Sequence, residues 1–180
     1  MILQTKVEER HIEKTYFATG CFWGAERIFR NLPGVVETAV GYMGGHEIEP
    51  TYQEVCSGRT GHTEIVEIVF DPAEISYYQL LKEFWTMHDP TSLNRQGGDI
   101  GTQYRSAIYA STFPQLEEAE ATREIYNKVL KSNGLDDICT EIKSSEGVRF
   151  WRAEEYHQRY LYKNPNGYDC HSTTGIAYPD

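Results

Sequence analysis

What this 180-residue chain lacks narrows its class before any motif is read. No apolar run approaches the roughly 20 residues that a membrane span requires. The opening MILQTKVEERHIEK is polar and mixed in charge, without the basic-then-apolar order of a secretory leader. Cysteine is sparse and scattered: Cys21, Cys56, Cys139 and Cys170 form no C-x-x-C pair, so a structural zinc site is not expected. Positive charge is short as well. Lys and Arg number 17 against 27 Asp and Glu, a formal net charge of −10. That balance argues against nucleic acid as a partner, because phosphate contacts need a basic face. No repeat, low-complexity tract or Pro/Ser-rich linker divides the chain. Together these absences predict one domain over residues 1–180, in the cytoplasm, where thiols stay reduced. The simplest assembly is a monomer.

What is present is a dense alternation of short patterns. Residues 16–19 read as a strand, and Phe22, Ala25, Ile28, Phe29 and Leu32 then fall at helical spacing until Pro33-Gly34 ends the helix. A second strand over 35–42 runs into the polar loop GYMGGHEIEPTYQEVCSGRTGH. Residues 63–70 alternate as a third strand, closed by Asp71-Pro72. Ser76 caps a helix with Tyr77, Leu80, Leu81, Phe84 and Trp85 on one face. A second polar loop, DPTSLNRQGGDIGTQYR, precedes a fourth strand at 106–109. This βαββαβ order predicts an α+β, two-layer sandwich with a ferredoxin-like core. A long helix over 114–132, a strand near 138–142, a short helix near 153–163 and an irregular tail over 164–180 are added to it. Long loops inside a compact domain tend to carry function, so the two polar loops are where a site is sought. Several of the 13 tyrosines lie in such segments, each a ring with a hydroxyl that wants a partner.

The thiol of Cys21 stands between Gly20 and the pair Phe22-Trp23, where a strand hands over to a helix. A helix start favours the thiolate, and flanking glycines permit a tight turn and close approach of another molecule. A buried, inert cysteine is the plain alternative, and it is the reading given to Cys56 and Cys139. Cys21 and Arg27 also share the C-x5-R spacing of cysteine-dependent phosphatases. There, small intervening residues let backbone N–H groups wrap a phosphate, whereas Phe22, Trp23 and Glu26 intervene here. A Cys-His pair would need one of six histidines, and nothing local selects one.

GCFWG, VGYMGG, PTYQEVCSGRTGHTE, HDPTSLNRQGGDIGTQYRSAIY, EYHQRYL and KNPNGY, in that order, resemble the class A peptide methionine sulfoxide reductases. The resemblance covers about residues 15–168. It implies thiol-dependent reduction of methionine-S-sulfoxide, free or in proteins, with no metal or organic cofactor. It implies Cys21 as nucleophile, Glu64 as the acid that protonates the departing oxygen, and Tyr52 and Tyr104 as hydroxyl donors to that oxygen. Asp99 matches a residue of the substrate site, and Phe22 and Trp23 match an apolar wall for the substrate methyl group. A sulfenic acid on Cys21 would then be trapped as a disulfide by a second cysteine, with Cys170 in the tail as the candidate, and thioredoxin would reduce it. Asp169 stands between the Gly-Tyr pair and Cys170, where the family often has the cysteine directly. The competing readings are the phosphatase and a non-catalytic peptide-binding module built from the Tyr/Gly-rich loops.

Overall fold

The computed structural model describes residues 10–169 and 172–180. In it, β1 (Glu13–Thr19) leads through α1 (Phe22–Arg30) to β2 (Val35–Met43). The short α2 (Tyr52–Cys56) precedes β3 (Thr63–Phe70) and α3 (Tyr77–Thr86). Two tiny strands, β4 (Arg95–Gln96) and β5 (Asp99–Ile100), and a 3-10 turn (Thr102–Tyr104) come before β6 (Ser106–Ala110). The chain continues through α4 (Phe113–Ser132), β7 (Glu141–Ser144), β8 (Trp151–Arg152), a second 3-10 turn (Glu155–His157) and α5 (Tyr160–Lys163).

Six strands form one sheet in the order β7-β6-β1-β3-β2-β8, with β4 and β5 as a separate pair. Only β7, beside β6, is parallel to its neighbour; the other pairs are antiparallel. The fold is α+β, as the order of elements implies. Alternation assigns the two faces. Phe17, Val40, Tyr42, Val66, Ile68 and Ile108 turn to the helix side and pack with Phe22 and Phe29 of α1 and Leu80, Leu81 and Phe84 of α3. Ala18, Met43, Ile65, Ala107 and Tyr109 turn the other way, under Val148 and Phe150. The central strands are thus covered on both faces, which fixes their register, since a one-residue slip would exchange the two sets.

Several local expectations shift. The first polar loop contains α2, whose start is a full capping box between Thr51 and Glu54. Two strand pairs are also tucked where loops were expected, β4–β5 in the second loop and β8 beside β2. Cys139 does not open the following strand: its N–H bonds to Pro90 O at 2.9 Å, and pairing with β6 begins at Glu141. The single helix expected over 153–163 is broken at Arg159, whose φ of 54° is left-handed. Tertiary bonds impose that break. The Gln158 side chain donates to Val40 O and Ala153 O and accepts from Val40 N–H, and Arg159 N–H donates to Glu26 Oε2 at 2.8 Å. The tail has no regular structure at its described positions, yet Tyr178 is buried and Tyr126 Oη donates to Ile176 O at 2.7 Å. Among the described residues no helix is long and apolar enough to cross a membrane.

Candidate active site

The turn before α1 is built around a glycine that any side chain would strain. Gly20 has φ +99°, and a Cβ there would lie 2.8 Å from the Gln96 side chain. Gln96 is itself tied down, accepting from Asp89 N–H at 3.1 Å. Cys21 follows as the N-cap residue of α1, 9% exposed, and its side chain makes no capping bond. The first N–H of the helix, from Phe22, is instead donated to Glu64 Oε2 at 3.1 Å. Residues 22–26 are already helical, so no open cradle for a phosphate forms there, and Arg27 is engaged in an ion pair with Asp169.

Glu64 lies on β3, facing the helices, and is 2% exposed. Burial pushes its carboxyl pKa up to about 8; the Phe22 N–H opposes the shift and the Asp99 charge adds to it. The carboxyl therefore keeps its proton at neutral pH. Tyr52, at the start of α2, and Tyr104, in the 3-10 turn, are half-buried. Burial, more than anything else, holds both phenols protonated far above neutrality. Glu64 and Tyr104 both act electrostatically on Tyr52, and Glu64, Asp99 and Cys21 act on Tyr104. The structure thus gathers Cys21, Glu64, Tyr52, Tyr104 and Asp99 into one neighbourhood. Asp99 accepts from Tyr168 Oη through Oδ1 at 3.0 Å, while its buried Oδ2 has no partner among the described residues. Cys170 lies outside the described residues.

Phe22 is buried and Trp23 half-exposed, and both pack on a residue that the sequence did not single out. His157 is fully buried, with ring centroids 5.2 Å from Phe22, 5.7 Å from Trp23 and 4.5 Å from Tyr52. Trp23 Nε1–H donates to His157 Nδ1 at 3.0 Å, so the imidazole proton resides on Nε2, which has no partner among the described residues. Burial pushes the His157 pKa down, partly offset by Glu154, and keeps the ring neutral. Glu154 joins the sheet to α2: it accepts from Tyr42 Oη and from Tyr52 N–H, each at 3.0 Å. No local signal marks His157 or Glu154, because their partners are more than 100 residues away. Cys56 departs from its buried reading. It is exposed at the end of α2 and hydrogen-bonded to the Tyr52 side chain. Cys139 is half-buried, its Sγ–H donating to Pro90 O at 3.2 Å.

Among the described residues no three His, Cys, Asp or Glu side chains stand together as metal ligands. What the assembled groups offer is a sulfur nucleophile with neutral proton donors around it. That pairing suits attack on a centre that must shed an oxygen, and it defines the chain as a thiol-based oxidoreductase. Comparison with known proteins narrows the class. The family described as peptide methionine sulfoxide reductase matches residues 13–177. Peptide methionine sulfoxide reductase MsrA of Streptomyces griseus is 55% identical over 168 residues, 93% of this chain and 76% of the relative. The solved methionine sulfoxide reductase A of Corynebacterium diphtheriae aligns with a TM-score of 0.86 at 44% identity, over 96% of this chain and 85% of that one. Reduced Mxr1 of Saccharomyces cerevisiae aligns with a TM-score of 0.79 at 36% identity, over 90% and 92%. The chain belongs to the peptide methionine sulfoxide reductase family.

Proposed function

We propose that the protein reduces methionine-S-sulfoxide, free and within proteins, through Cys21. The Cys21 thiolate attacks the sulfoxide sulfur while Glu64 delivers its proton to the oxygen. Transfer of that oxygen to the cysteine leaves methionine and a Cys21 sulfenic acid, so the substrate is reduced by two electrons and the cysteine oxidised by two. Tyr52 and Tyr104 donate hydrogen bonds to the oxygen as negative charge gathers on it, and neutral phenols suit a polarised but uncharged S–O group. Phe22 and Trp23 wall the slot for the substrate methyl, and Asp99 anchors the substrate. Cys170 then attacks the sulfenic acid, releasing water and forming the Cys21–Cys170 disulfide. A thioredoxin dithiol reduces that disulfide and is itself oxidised. Mxr1 is also known in complex with Trx2, which supports a partner of this kind.

The observation that carries this reading is Glu64, a carboxyl that keeps its proton to about pH 8 while hydrogen-bonded to the residue after Cys21. A general acid must hold its proton where the enzyme works, and an ordinary exposed glutamate would not. The test is incubation with dithiothreitol and a peptide bearing racemic methionine sulfoxide, resolved by chiral chromatography. The expected result is loss of the S epimer alone, absent in Cys21→Ser. Loss of neither epimer would overturn the reading.

A further inference from the structure

Along α1, starting at Trp23 two residues after Cys21, lies a cavity of about 180 Å³ bordered by Trp23, Arg27, Arg30 and Arg159. Three arginines bordering one hollow are out of character for a chain of net charge −10. Glu26 also borders it, but its carboxylate is 1% exposed and already spent, accepting from Thr38 Oγ1 at 3.0 Å and from Arg159 N–H at 2.8 Å. Arg30 lies 5.7 Å from the Tyr162 ring, and its buried Nη1 has no acceptor among the described residues. Arg159 has no carboxylate within ion-pairing distance among the described residues. Arg27 does hold one, that of Asp169 from the tail. One arginine on the border of the hollow thus already takes a carboxylate.

We propose that this pocket receives an acidic side chain of the oxidised peptide, about three residues from the methionine sulfoxide; the inference rests on the reductase reading above. Guanidinium forks match carboxylates in two parallel hydrogen bonds, so a glutamate or aspartate fits where a lysine is repelled. The spacing follows from the helix. Trp23, beside the methyl slot, and Arg30 are seven residues apart, about 10 Å at 1.5 Å per residue. An extended peptide advances about 3.3 Å per residue and covers that distance in about three. The overall field works in the opposite sense, since a strongly acidic protein repels acidic peptides. A preference for acid is therefore a signature of the pocket and not of the net charge.

The test compares kcat/KM of the whole chain, with dithiothreitol as reductant, on peptides carrying Glu or Lys three residues before or three after the sulfoxide. In one of the two placements the Glu peptide is expected to be favoured by about fivefold, the upper range for a partly exposed ion pair. The ratio is expected to fall toward one in high salt and in the double variant Arg30→Met, Arg159→Met. Equal turnover in both placements, or a preference that survives in the double variant, would overturn the pocket alone. Failure to reduce any of the peptides would remove the reductase reading and this inference with it.

Discussion

Glu64 and Glu67 stand three residues apart in β3 and face opposite sides of the sheet. Glu64 turns under α1, is 2% exposed and meets a backbone N–H in place of a cation. Glu67 turns the other way, keeps 19% of its side chain exposed and pairs with Lys14 Nζ at 3.1 Å. One carboxyl is dry and keeps its proton to about pH 8; the other sits at a wet rim with a counter-charge. The residue type and the strand are the same. What separates them is the cover, helices on one side and a thinner layer from residues 148–150 on the other.

The widest separation is expected in the chemical step. Glu64→Gln keeps the shape but removes the carboxyl proton that the proposed mechanism uses, and single-turnover reduction should slow by about 10²- to 10⁴-fold. Glu67→Gln should stay within about twofold, because it faces the other side of the sheet and its charge pair is partly exposed. Near-equal losses in the two variants would erase the contrast.

Stability should separate them by pH dependence. A carboxyl whose pKa rises from 4.5 to about 8 on folding stabilises the protonated protein. That contribution is fully present below about pH 4.5 and is lost as pH climbs through about 8. Denaturation midpoints should therefore shift in favour of Glu64→Gln between about pH 5 and about pH 9. Glu67→Gln and Lys14→Met should each change stability by about 1 kcal/mol or less at any pH.

Between these extremes lies the cover itself. His157→Ala removes the acceptor of the Trp23 indole and leaves a void among Phe22, Trp23 and Tyr52. It is expected to cost about 2–4 kcal/mol in urea denaturation, and the loosened packing of Phe22 and Trp23 should raise KM more than it lowers kcat. His157→Gln, which can still accept from Trp23, should recover much of that loss. Equal damage from both would reduce His157 to bulk.

Much of this architecture was legible because it is local. The alternation of TEIVEIVF, the Ser76 cap and the helical spacing after Cys21 all appear where their patterns put them. The capping pair of Thr51 and Glu54 was present as T-x-x-E, but the glycines and Pro50 around it read as loop. Other features are tertiary. Arg159 breaks its helix because Gln158 and the Arg159 N–H are claimed by Val40 and Glu26. His157 and Glu154 gain their places only when distant segments meet. Glu64 shows the limit most clearly: alternation puts it and Glu67 on opposite faces without saying which face is dry. Family motifs, not periodicity, pointed to Glu64.

The measurement closest to the central claim is infrared titration of the Glu64 carboxyl, its C=O absorption identified by its absence in Glu64→Gln. The account predicts that this band persists at neutral pH and disappears with a midpoint near 8. A midpoint near 4.5, where ordinary glutamates ionise, would leave the departing oxygen without its proton donor and contradict the mechanism.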